Sequence, residues 1–218
     1  MAQIFRPGAD VLLRLGLAAL AAAPVLGVGF AYALMRSPAV TGQDLAREQP
    51  VPFSHQHHVG GLGLDCRYCH TGVETTRYAG MPPTETCMTC HSQLWTDAGM
   101  LAPVRTSLAE KRPMHWRRVN ALPDYVYFNH AVHVTKGVGC STCHGPVDRM
   151  PLMRQAAPLT MGWCLDCHRH PEKALRPRSA VFDMAWKPPP DQEARGRRLM
   201  AERHVDPARL TDCSRCHR

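Results

Sequence analysis

The stretch Phe128-Asn129-His130-Ala131-Val132-His133, followed by Cys140-Ser141-Thr142-Cys143-His144 and Cys164-Leu165-Asp166-Cys167-His168, decides how the chain is read. An earlier stretch has the same grammar: Phe53-Ser54-His55-Gln56-His57-His58, then Cys66-Arg67-Tyr68-Cys69-His70 and Cys87-Met88-Thr89-Cys90-His91. The offsets between the two copies are 75 for the Phe, 74 for the first Cys and 77 for the second motif. This is an internal repeat, F-x-H-x-x-H, a short spacer, CxxCH, about twenty residues, CxxCH. A fifth CxxCH, Cys213-Ser214-Arg215-Cys216-His217, follows without a complete upstream signature.

All ten cysteines of the chain lie in these five pentapeptides. Two thiols three positions apart on one helical turn reach the two vinyl groups of a haem, and the next imidazole lies under the iron. Five covalently bound haems c are therefore expected, with His70, His91, His144, His168 and His217 as proximal ligands. With 13 His in 218 residues, five chance occurrences of His after CxxC have odds on the order of one in a million. A zinc ribbon uses CxxC pairs in twos and has no need of the histidines. A disulfide framework leaves the histidines equally unexplained, and a thioredoxin-like redox motif would need a βαβ context that the sequence lacks.

The repeat supplies a second axial ligand. Two histidines three apart share one face of a helical turn and can point at neighbouring irons, which assigns His55, His58, His130 and His133 as distal ligands. His57 lies off that face and reads as a surface or supporting residue. Before the fifth motif, Phe182-Asp183-Met184-Ala185-Trp186 looks like a degenerate copy with Met in place of the first His. Met184 is the distal candidate there, with His204 or His115 as alternatives and His170 and Met161 behind them. A Met ligand would raise that haem's potential relative to bis-His neighbours. Met beside Trp is otherwise ordinary packing.

Aromatic residues make up only 6% of the chain, against 19 Pro and 16 Gly. The part of the chain that follows the N-terminal apolar run must carry all five haems, which leaves too few residues per haem for a protein core of their own. The expected fold is a multihaem cytochrome c with little regular secondary structure and short helices around a haem core, plus one N-terminal transmembrane helix. The formal charge of +8 would suit an anionic partner, but haem propionates bring the loaded chain to roughly +3 oxidised or −2 reduced. Arginines such as Arg105, Arg112, Arg117, Arg118, Arg176 and Arg178 are candidates to face those propionates.

Leu15 to Met35 carries no charge between Arg14 and Arg36 and is long enough to cross a bilayer. Arg6 and Arg14 favour an N-terminus inside, and Pro24 is tolerated in a membrane helix. The competing reading is a signal peptide cleaved near Ala31-Tyr32-Ala33, against which the length of the run argues. The organisation expected is an anchor over 1–36, a first two-haem module with a basic inter-module loop over 37–127, a second module over 128–181, and a single-haem segment over 182–218. The haem-bearing part belongs on the periplasmic side of a bacterial inner membrane, in a single-pass topology.

The single helix, the FSHQHH and YFNHAVH segments, MGWCLDCHRHPE and the terminal CSRCHR together resemble the pentahaem cytochrome subunit of alternative complex III, a respiratory-chain quinol:electron-acceptor oxidoreductase. The likeness covers nearly the whole chain; WRRVNALPDYVYFNH and TMGWCLDCHRHP are its specific parts. More distantly, the repeat unit is similar to small bis-His cytochromes of the c3/c7 type. The resemblance implies a five-haem wire without a substrate site of its own. It would pass electrons from a quinol-oxidising partner towards a monohaem cytochrome or an oxidase. The implied partners are an iron–sulfur subunit, polytopic membrane subunits and a monohaem cytochrome; no nucleic acid is implied. A His commonly stands in that family where this chain has Asn120.

Two other functions compete. A nitrite- or hydroxylamine-type reductase needs an iron with an open axial position, whereas all five motifs end in His and further histidines outnumber the irons. A stand-alone membrane-anchored quinol dehydrogenase feeding a periplasmic reductase also combines one helix with several haems. It calls for a haem directly over the anchor, whereas a long connecting segment separates Met35 from Cys66. A soluble storage cytochrome is disfavoured by the anchor.

Overall fold

The computed structural model describes Arg6 and residues 8–217; residues 1–5, 7 and 218, at the two ends of the expected anchor and C-terminal segments, lie outside the described residues. The chain forms two units, Met1–Gln43 and Asp44–Arg218.

The first unit is dominated by an α-helix, Ala9–Arg36, of 28 residues with Pro24 inside it. At helical rise it is about 42 Å long, more than a hydrocarbon core of about 30 Å requires. None of its residues is buried. Leu12, Leu20, Val25 and Val28 stand about 70% exposed. A helix apolar on every side and without protein cover has the surface of a membrane span, and it is the one such candidate among the described residues. Its charges sit at the ends, where Arg14 pairs with Asp10 one turn away and Arg36 lies over the Tyr32 ring.

The second unit is a succession of short helices with no strand among the described residues, only the isolated bridges Ala46–Arg154, Val126–His217 and Val138–Leu175. Every CxxC lies on its own helical segment, Cys66–Cys69, Thr84–His91, Cys140–His144, Met161–Arg169 and Cys213–Cys216, and the first and fifth end just before the motif His. Local sequence starts several of these helices. Asp65 accepts from the Arg67 N–H, Asn129 from Val132 and Thr160 from Trp163, each satisfying a donor that the first turn leaves open.

Apolar packing is sparse. Eight hydrophobic side chains are buried among the described residues. Val51, Leu101 and Val104 form one cluster, against which Cys87, Met88, Met114 and Trp116 pack. The other fully buried large side chains are Met150, Leu175 and Val181. So small a core cannot by itself offset the entropy of ordering this many residues.

Polar clamps do part of the holding. Arg176, only 3% exposed, donates to the carbonyls of Ala180 and Asp183 and to the hydroxyls of Ser141 and Thr142 inside the third CxxCH. Its guanidinium also lies 4.3 Å from the centre of the Trp186 ring. Arg176 is thus tied to protein groups through its two terminal nitrogens, while its buried Nε has no partner among them. Gly139, just before Cys140, has no room for a Cβ because the Arg176 guanidinium fills that space. Arg176→Ala leaves two hydroxyls and two carbonyls without their donor, at a cost of about 3 kcal/mol. A clearly lowered thermal midpoint of the haem-loaded protein, followed by circular dichroism, is the expected result; an unchanged midpoint would contradict the clamp.

Candidate functional site

The two F-x-H-x-x-H segments fold into nearly superimposable ring clusters. Phe53 stacks on His58 (centroids 4.3 Å, 24°) and meets His55 edge-on (4.9 Å, 86°). Phe128 stacks on His133 (4.4 Å, 27°) and meets His130 edge-on (4.8 Å, 88°). The phenyl ring therefore fixes the rotation of both imidazoles in each copy, a role that the sequence pattern did not reveal.

The backbones differ in a way the spacing explains. From the second His to the first Cys is eight residues in the first copy and seven in the second. The second copy is an ordinary α-helix, His130–Lys136, whereas the first is a π-turn, Gln56–Gly61. A π-turn takes up one extra residue without changing what lies on either side. The ring geometry survives the insertion.

Three of the four distal candidates then face a motif histidine. His130 and His144 have centroids 6.4 Å apart and planes within 3° of parallel. His133 and His168 are 6.2 Å apart at 23°, and His58 and His91 are 6.2 Å apart at 64°. Two imidazoles bound to one metal from opposite sides, with roughly 2.0 Å per metal–nitrogen bond and each ring centre about 1.1 Å behind its nitrogen, stand about 6 Å apart. The three gaps have that width. Burial, and after it the neighbouring His70 imidazole, disfavours charge on His55.

Tautomers are also set. The Nδ1–H of His70 donates to the Gly80 carbonyl at 2.7 Å, His58 to Ser54 at 2.8 Å, His133 to Asn129 at 2.7 Å, His130 to Arg77 at 3.0 Å and His168 to Leu210 at 3.0 Å. His91 donates to Leu94 at 3.2 Å and His217 to Tyr125 at 3.3 Å. A carbonyl can only accept, so Nδ1 carries the proton and Nε2 offers its lone pair to a metal. His55 and His144 differ: their Nδ1 atoms are buried without a partner. Burial, reinforced by neighbouring imidazoles, pulls both down to about 4, and burial also lowers His133. These rings are neutral at physiological pH, the form that ligates a metal.

None of the ten cysteines is joined to another by a disulfide. Burial pushes Cys143 up to about 12 and raises Cys69, Cys87, Cys164 and Cys167 as well. Among the described residues no three or more His, Cys, Asp or Glu side chains converge as a bare-metal centre would need. Paired thiols, lone proximal imidazoles and opposed imidazoles fit haem c and do not fit zinc.

Comparison with known proteins agrees with this geometry. A model of the family "Cytochrome c7 and related cytochrome c" matches residues 51–102 and 126–218. The chain belongs to that family. It is also similar to the multiheme cytochrome c subunit of a menaquinone reductase from Nitratidesulfovibrio vulgaris, 36% identical over 99 residues. The match spans 45% of this chain and 46% of that relative, less than half of either.

The fifth motif of this cytochrome has different surroundings. The ring nearest to His217 is Tyr125, 5.8 Å away and tilted by 30°, and Val126 bridges to His217. The segment holding Met184 is tied elsewhere: the Val181 carbonyl accepts from the Cys140 N–H, and Phe182 lies under Arg67. His204 is exposed at the end of helix Gln192–Glu202, with φ 51°. His115, His170 and Met161 are exposed too. Asn120 holds a buried Oδ1 without a partner. His57 is exposed, its ring 6.2 Å from that of Trp95.

His130→Ala empties one side of the His144 gap and leaves the His133–His168 gap intact. The expected spectrum of the haem-loaded variant has one haem turned high-spin with covalent haem content unchanged. A wholly low-spin spectrum would reject the pairing.

Proposed function

We propose that this cytochrome carries five covalent haems c and serves as the electron-relaying subunit of a membrane quinol:electron-acceptor oxidoreductase of the alternative complex III kind. The three opposed imidazole pairs carry this reading. An iron closed on both faces by imidazole has no position for a substrate, so it exchanges electrons and does no bond chemistry. Haem held there would supply one-electron redox chemistry at its iron.

The chain's own residues do the rest. The pairs Cys66/Cys69, Cys87/Cys90, Cys140/Cys143, Cys164/Cys167 and Cys213/Cys216 form the thioethers. His70, His91, His144, His168 and His217 bind on the proximal side. His58 closes the site of His91, His130 that of His144 and His133 that of His168, and His55 closes that of His70 by the symmetry of the repeat. Met184, His204 and His115 are the residues that the sequence offers for the distal side of His217. None of them is seen against that ring.

The segments 37–127, 128–181 and 182–218 act as two double-haem modules and a single-haem tail, with 1–36 as an uncleaved anchor. The haem-bearing part lies on the periplasmic side of a bacterial inner membrane. Quinol oxidation takes place in polytopic and iron–sulfur partners, and electrons leave through a monohaem cytochrome or an oxidase.

A second reading is favoured by the relative named a menaquinone reductase subunit: the same relay delivering electrons to a quinone. The two readings differ in the direction of flow and share the role of the chain. A stand-alone quinol dehydrogenase is the reading that places quinol chemistry on this chain.

Purification from native membranes through this chain in mild detergent, with subunits identified by mass and both quinol:cytochrome c and quinone-reductase activities assayed, separates the three. Co-purification of an iron–sulfur subunit, polytopic subunits and a monohaem cytochrome, with quinol:cytochrome c activity, is the expected result. Quinone reduction by the assembly would favour the second reading, and a lone chain that oxidises quinol would overturn both.

A further inference from the structure

The five motifs need not be neighbours in the order in which the chain presents them. Contacts between residues inside the motifs give their spatial order. Tyr68, in the first CxxCH, hydrogen-bonds through its hydroxyl to Thr89 of the second at 2.8 Å. The opposite side of the second motif is closed by protein. Thr84, the first residue of its helix, pairs with Ser107 at 2.7 Å, and Cys87 and Met88 pack on Val51, Leu101 and Val104. The second site therefore has the first as its neighbour and ends the row.

The other side of the first motif faces the third. The Arg67 guanidinium lies 4.6 Å from the centre of the Phe182 ring, and the adjoining Val181 carbonyl accepts from Cys140 at 3.1 Å. The turn that follows His70 supplies the Arg77 carbonyl to both the backbone and the ring of His130, and the Thr76 carbonyl to Ala131. From the first copy, Gln56 donates to the Met150 carbonyl at 3.0 Å. Gly60 of the same turn comes so close to the Asp148 carbonyl that a Cβ there would collide. Met150 and Asp148 lie just after the third CxxCH.

The third and fourth sites share helix His130–Lys136, whose two histidines face His144 and His168. The fourth then meets the fifth. His168 donates to Leu210, the last residue of helix Pro207–Leu210, and Cys213–Cys216 begins three residues later. The fifth motif also closes against the chain just before Phe128, where Tyr127 donates to the Cys216 carbonyl at 2.8 Å.

We infer that the haem sites follow the spatial order second, first, third, fourth, fifth, with the two repeated modules joined through their first sites. A simple head-to-tail stacking of the repeats would instead set the second site against the third. The two ends of the row are then the sites of His91 and His217. The interior junction carries the two histidines, His55 and His144, that lack a carbonyl acceptor.

The inference rests on the five-haem reading, and a cryo-electron-microscopy map of the native haem-loaded protein in its complex separates the two. The expected map has the iron at His91 nearest to that at His70 alone, the iron at His70 flanked by those at His91 and His144, and the iron at His217 nearest to that at His168. Five haems with the irons of His91 and His144 adjacent, or with the iron of His70 at an end, would overturn the order and leave the five-haem reading standing. Fewer than five haems would overturn the reading itself.

Discussion

Opposed imidazoles held about 6 Å apart are the constraint on which the haem-bearing unit depends. A protein with eight buried apolar side chains among its described residues cannot fix nine rings by core packing. Eight of the nine are instead held by a specific contact. A phenyl ring sets the rotation of two imidazoles in each repeat, and a backbone carbonyl takes the Nδ1 proton of seven of the nine candidate axial histidines. Such bonds orient the ring, fix the tautomer and raise the basicity of the nitrogen that binds metal. Burial at His55 and His144 acts in the same sense by keeping the rings neutral. The arrangement suits a metal, and iron held between the rings would contribute folding free energy that the sparse core lacks.

The duplicated pattern tolerates local change so long as the rings keep their places. One extra residue in the first copy is taken up by a π-turn at Gln56–Gly61, while the second copy stays α-helical. The Phe–His centroid distances, 4.9 Å and 4.3 Å in the first copy, are 4.8 Å and 4.4 Å in the second. Selection on ring placement, with freedom in the backbone between, is what a metal-centred fold would be expected to leave behind.

The motif histidines, the four distal candidates and the membrane-length helix could all be read from the sequence because each is a local pattern. CxxCH is one helical turn, F-x-H-x-x-H another, and the uncharged run from Leu15 to Met35 needs no tertiary context. The carbonyls that take the imidazole protons could not be read this way. Arg77 is 53 residues from His130, Leu210 is 42 from His168 and Tyr125 is 92 from His217, and backbone acceptors leave no mark on residue type. The role of Arg176 was hidden for a related reason. Residue type alone does not show that a guanidinium is tied to Ser141, Thr142 and Trp186. The likeness of Phe182-Asp183-Met184 to a degenerate signature was equally a matter of residue type, and its contacts run to the first and third motifs.

A five-haem relay requires every CxxCH to hold a haem. Intact mass spectrometry of the denatured chain, purified from its own membranes, measures this directly, because thioether-linked haem stays attached when axial ligation and folding are lost. The predicted mass is that of the polypeptide plus five haems, with no thiol left to alkylate. A chain with unmodified cysteine pairs, or one whose metal is lost on denaturation, would contradict the account.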